Sequence, residues 1–224
     1  MHRRDFTAAV LTIPAHSGVW AGTGLGESDA AGGVRAALER GASAAVGLLG
    51  RGDGFLGNPL VRIALPRYLN DAVRLLRAAG QGKRVDELVT AMNRAAEAAV
   101  PEARPLLVGA IQSLSVEDAL KIVRGSTTAV TEFFAAKTRG PLGEKFLPVV
   151  TRATERQQLA ERYNAVAAKA ASLGLLKGDD VSVQRHVTVR ALDGLYLMIG
   201  EEEKKIRANP LQTGSAILKK VFGG

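Results

Sequence analysis

From Val34 onward, apolar residues return at intervals of three and four. No stretch alternates in period two for long enough to define a strand. Val34, Leu38, Ala42, Ala45 and Leu49 set one helical stripe, Leu69, Val73 and Leu76 another, and Leu192, Leu195, Ile199 and Ile206 a third. The nearest approach to alternation is Val181, Val183 and Val187–Val189, where a strand competes with helix. The chain is therefore predicted to be all-α. The expected architecture is a single-domain bundle of about eight to ten helices with a Gly-rich ordered loop after the first.

Glycine and proline punctuate the helices. Gly50 supplies a stop, and Arg51 to Pro59 (RGDGFLGNP) holds three glycines and a proline, too many for helix interior. Phe55 and Leu56 are expected to tuck that loop onto the core. Pro66 opens a helix through Ala79, closed by Gly80 and Gly82. A helix over Val85 to Ala99 is predicted to stop before Pro101, with a short one over Glu102 to Leu114. Ser115 and Asp118 resemble a capping box for a helix ending near Gly125. Ser126 or Thr127 opens the next, ending near Arg139-Gly140-Pro141. Leu142 to Leu173 is expected to be helical and broken or kinked near Pro148, with a turn at Gly174 and Lys177 to Asp180. The last long helix is predicted over Val183 to Ala208, and a terminal one over Ser215 to Phe222.

The N-terminus reads differently. Arg3-Arg4 with Phe6, then a mildly apolar Ala8 to Ala15, resembles a twin-arginine export signal, with small residues at Val19 and Ala21 for cleavage. Residues 1–21 are thus expected to be an export signal, 22–33 a flexible Gly-rich linker, and 34–224 one helical domain. The expected compartment is periplasmic or otherwise exported, with a cytoplasmic chain as the alternative. No segment reaches the length a transmembrane helix requires.

Composition narrows the chemistry. Aromatic residues are only 4% of 224, so Ala, Leu and Val must build the core and helices can approach closely. There is no cysteine, which excludes disulfides, thiolate catalysis and Cys-ligated metals. The histidines are His2, His16 and His186, two of them inside the presumed signal, so a His-rich metal site is not expected. The Gly52 to Gly57 stretch lacks the Gly-Lys-Ser/Thr ending of a phosphate loop. No cofactor is implied. The formal charge of +8 permits acidic partners, anionic lipid or nucleic acid, but the charges are well mixed and nucleic acid is disfavoured.

A few polar residues sit oddly for a plain helical core. Continuing Leu195 and Ile199 toward Ile206 brings Glu202 onto the apolar face. A carboxylate there needs a partner, a proton or a cavity. It is either a site residue or half of a structural pair with Arg62, Arg94 or Arg207, or a rim position. Asn93 shares a face with Val89, Ala96 and Val100, and its natural client is the backbone of the 52–58 loop. Glu97, one turn on, could cluster with Arg94. Asn58, Arg62, Asn93, Arg94, Glu97, Glu202 and Arg207 are the candidate ligand-binding or polar-cluster residues. None is assigned as catalytic.

Several longer segments carry a resemblance. They are Gly54-Phe55-Leu56-Gly57-Asn58-Pro59 with Val61-Arg62-Ile63, Ala91 to Glu97 (AMNRAAE) with Pro101-Glu102-Ala103, Phe146-Leu147-Pro148, Tyr163-Asn164, Ala191 to Leu195 (ALDGL) and Glu201 to Pro210 (EEEKKIRANP). Over about residues 30–223 the chain resembles the bacterial domain-of-unknown-function family numbered 4197. The resemblance implies a mostly helical bacterial domain, commonly behind an export signal, with no known activity.

Three functions compete. The leading expectation is an envelope binding protein that holds an apolar small molecule or a partner's helix in a groove between helices. An enzyme with a Glu/Arg cleft is the rival, and an assembly protein acting through oligomerisation is the third.

Overall fold

A computed structural model describes residues 25–117, 119–158, 161–163, 166 and 182–223, and every regular element among them is helical. The long helices are α1 (Glu27–Leu49), α3 (Gly82–Gln112), α5 (Ala129–Arg156) and α6 (Val183–Ala208). Shorter ones are α2 (Asn70–Ala78), α4 (Ala119–Val123) and α7 (Ala216–Phe222). The chain is an all-α bundle. Helix α1 packs against α6, α3, α7 and α4, and α5 closes the bundle against α3 and α6. The core carries many alanines, among them Ala37, Ala95, Ala96, Ala99 and Ala191, each almost fully buried. Larger volume comes from Phe55, Phe134, Phe146, Leu38, Leu88 and Met92.

Several ends follow directly from local chemistry. The Ser182 hydroxyl accepts the Arg185 N–H (3.2 Å) at the start of α6, and Ser215 accepts the Leu218 N–H at the start of α7. Val183, where a strand competed, opens α6 as helix. The expected turn at 174–180 and the expected export signal at 1–21 lie outside the described residues.

Three expectations are corrected. The break before Pro101 is absent, because α3 runs through Pro101 and Pro105. Likewise α5 runs through Pro141 and Pro148. An interior proline costs a helix about 3 kcal/mol. Here Ala99 and Val100 on one side of Pro101, and Ala103, Leu107 and Ile111 on the other, are all buried against the same core. Burying each large side chain contributes about 1.5–3 kcal/mol, enough to hold both halves in line. The third correction concerns residues 27–33, expected as linker, which form the first turns of α1. Gly33 is required there by close approach. A Cβ on it would lie 2.6 Å from both methyls of Val221 in α7.

The loop between α1 and α2 is ordered, and Phe55 is fully buried as expected, while Leu56 is only half-buried. Phe55 lies against Gly194 of α6, where a Cβ would come within 2.9 Å of the ring.

Candidate functional site

The polar residues singled out by the sequence divide between two structural clamps, one surface pair and an open cleft. In the first clamp, Glu97 of α3 is buried, and its Oε1 accepts the N–H groups of Phe55 and Leu56, both at 3.0 Å. Its Oε2 accepts from Arg94 Nη1 (2.6 Å), and Arg94 Nη2 also reaches Asp53 (2.8 Å). The bond from Glu97 raises the Arg94 pKa beyond its ordinary value. One turn earlier on α3, Asn93 is fully buried. It accepts the Ile63 N–H (2.8 Å) and donates to the Ile63 carbonyl (2.9 Å) and to Val89 (2.8 Å). Its client is therefore Ile63, beyond the loop, and the 52–58 stretch expected for it belongs to Glu97. Asn58 turns inward on its own loop, its Oδ1 accepting the Leu60 N–H (3.1 Å).

The second clamp corrects the sequence by one residue. The buried carboxylate on α6 is Glu203, not Glu202. At about 100° per residue, Glu203 lies about 40° from the direction of Ile199, and Glu202 about 60° to the other side. From Ile206 the two angles exchange, about 60° for Glu203 and about 40° for Glu202, so the spacing gives no preference between them. Glu203 accepts the N–H groups of Val130 (3.0 Å) and Thr131 (2.8 Å), the Thr131 hydroxyl (2.7 Å) and Arg207 Nε (2.9 Å). All four lone-pair positions of the carboxylate are filled. The first turn of α5 has no side-chain cap of its own, so Glu203 supplies one from another helix. Arg207 in turn donates to the carbonyls of Val123 (2.5 Å) and Ile122 (3.3 Å), and its guanidinium stacks on Phe222.

Glu202 sits at the edge of α1 and α6, bonded to Arg40 (3.2 Å) and Lys205 (3.3 Å), not to the arginines expected for it. Arg62 is exposed and forms no ion pair among the described residues. The seven sequence candidates thus do not converge on one site.

A broad concavity lies elsewhere. A groove of about 700 Å³ runs between the C-terminal half of α3 and α5, reaching the segment before α4. Leu106, Ala110, Leu114, Phe133 and Leu142 line it, together with Pro105 and Pro141. Lys137 and Lys145 lie at i and i+8 on α5, with Pro141 midway, and Glu117 is the acidic residue lining the groove. Neither lysine forms an ion pair among the described residues. Thr138, also in the lining, is engaged inward with the Phe134 carbonyl and the Tyr196 hydroxyl. Sequence reading missed this groove. Its one signal was the Lys137, Pro141, Lys145 spacing of four and four. Among the described residues, no cluster of His, Asp and Glu could hold a metal ion, and no helix is long and apolar enough to cross a membrane.

A family model described as Protein of unknown function (DUF4197) matches residues 24–223, and the chain belongs to that family. No curated protein and no solved structure matches it.

Proposed function

We propose that this member of a family without an assigned activity is a binding protein, and that the α3–α5 groove holds an amphiphile with an apolar chain and an acidic head. The carrying observation is the groove itself. Its floor is apolar, its volume falls within the roughly 300–1,000 Å³ usual for small-molecule sites, and it carries two cations that form no ion pair among the described residues. A long-chain carboxylate matches that lining, with its chain over Leu106, Phe133 and Leu142 and its head at Lys137 or Lys145. The alternative of catalysis by a Glu/Arg pair has less support. Glu203 has no free lone pair, and Glu97 is committed to two backbone donors and Arg94.

The test is titration of the full chain with a dansyl-labelled undecanoate, read as fluorescence enhancement. Saturable binding at one site per chain is expected. Ala110→Trp should fill the groove and abolish it, and K137E/K145E should weaken it about tenfold. Enhancement that survives Ala110→Trp unchanged would place the probe elsewhere and defeat the reading.

A further inference from the structure

A second concavity, separate from the α3–α5 groove, lies between the α1–α2 loop and α6. Its volume is about 290 Å³, and Arg62, Arg67, Arg190 and His186 line it. The opposing charge is Asp193, which is already shared between Arg190 (3.2 Å) and Arg139. Arg62 and Arg67 are exposed and form no ion pair among the described residues. Two leucines flank these cations in the open: Leu60, 68% exposed, and Leu197, 40% exposed.

Leu60 is not exposed for want of structure. The loop is tied to α3 at Phe55 and Leu56 by Glu97, and at Ile63 by Asn93. The Asn58 side chain holds the Leu60 N–H, and His186 Nε2 donates to the Ala64 carbonyl (2.9 Å). The backbone on both sides of Leu60 is therefore fixed. A protruding apolar side chain on a fixed turn, beside the exposed guanidiniums of Arg62 and Arg67, suits an interface that is apolar at depth and anionic at its surface. A soluble anion would use the arginines and leave both leucines in water. A partner helix would call for an apolar trough, whereas here the leucines stand on the rim.

We propose that this cleft is the face by which the protein rests on an anionic phospholipid surface, with Leu60 and Leu197 entering the headgroup boundary and Arg62, Arg67 and Arg190 meeting phosphates. The assignment does not depend on the groove having a ligand.

The experiment is co-sedimentation of the full chain with vesicles of phosphatidylcholine, alone or with phosphatidylglycerol at roughly 40%, at about 50 and about 300 mM salt. Binding is expected to the anionic vesicles, weaker at high salt, with little to the neutral ones. R62E/R67E should lower the partition coefficient at least tenfold. Leu60→Ser, which leaves the charge untouched, should lower it about tenfold. R104E/K121E, the same charge change at exposed positions outside the cleft, should stay within about twofold. All five positions concerned are at the surface, and matched thermal melts establish that each variant folds. Failure to bind anionic vesicles, equal binding to neutral ones, or an equal loss in R104E/K121E would overturn the proposal. So would a loss in R62E/R67E with Leu60→Ser unaffected, which would point instead to a soluble polyanion.

Discussion

Glu203 and Arg207, one turn apart on α6, hold the two faces of a single junction. The carboxylate takes the first N–H groups of α5, and the guanidinium takes the last carbonyls of α4. Each charge therefore meets the helix end of opposite partial charge, and each also satisfies the other at 2.9 Å. Removing the carboxylate leaves a half-buried cation and uncapped buried donors together. Glu203→Ala is expected to cost about 3–5 kcal/mol and Arg207→Ala about 2 kcal/mol. The double variant should cost less than the sum by at least about 1 kcal/mol. Urea midpoints of the four proteins measure this, and strict additivity would mean that the pair does not act as a unit.

Glu97 and Asn93, the two anchoring side chains of the α3 clamp, make a residue-specific forecast. Glu97→Ala should speed amide hydrogen exchange at Phe55 and Leu56 while Ile63 stays protected. Asn93→Ala should do the reverse, and should cost about 2–4 kcal/mol, because it strands both backbone groups of Ile63 in the core. Exchange measured by NMR on the two variants separates the anchors. Loss of protection throughout the loop in either variant would mean that the anchors hold a single cooperative unit.

What could be read in advance, and what could not, follows from the range of each signal. The bounds of α6 and α7 were legible because their cues are local, apolar residues at helical spacing and a stop at Asn209-Pro210, and the structure adds serine caps at Ser182 and Ser215. The passage of α3 through Pro101 was not, because the local penalty is outweighed by contacts with helices remote in sequence. Glu203 was misplaced by one position because Ile199 and Ile206 are seven apart, and seven residues can be split as three and four in either order. The α3–α5 groove had almost no local signal. It exists only where residues from about 105 to 114 face residues from about 133 to 145.

Gly33 and Val221 test how tightly α7 is seated. Gly33→Ala should cost about 1–3 kcal/mol despite the better helix propensity of alanine. The Val221 Cβ is itself 2.7 Å from the added carbon, so Val221→Ala should not relieve the clash. Val221→Gly should relieve it, giving a favourable coupling of at least about 1 kcal/mol with Gly33→Ala. Thermal denaturation of the two cycles reads the difference. Rescue by Val221→Ala would show that α7 shifts freely on α1.

His186 sets a pH dependence whose sign is fixed. Burial lowers its pKa below the ordinary 6.5, nearby Arg190 lowers it further, and the bond to the Ala64 carbonyl opposes both. In the unfolded chain the ring takes up its proton as pH falls through about 6.5, whereas the folded ring resists until lower pH. Between those points the unfolded state binds more protons, so stability is full above about 6.5 and falls as the solution is acidified through the window. Carboxylates contribute their own slope, which a paired comparison removes. His186→Gln cannot take up the charge, so the stability difference between wild type and this variant should shift in the variant's favour from about pH 7.5 to about pH 5.5. Urea unfolding of both proteins at the two pH values measures it. An unchanged difference would mean that the ring titrates alike folded and unfolded, and that its contact with Ala64 opens freely to water.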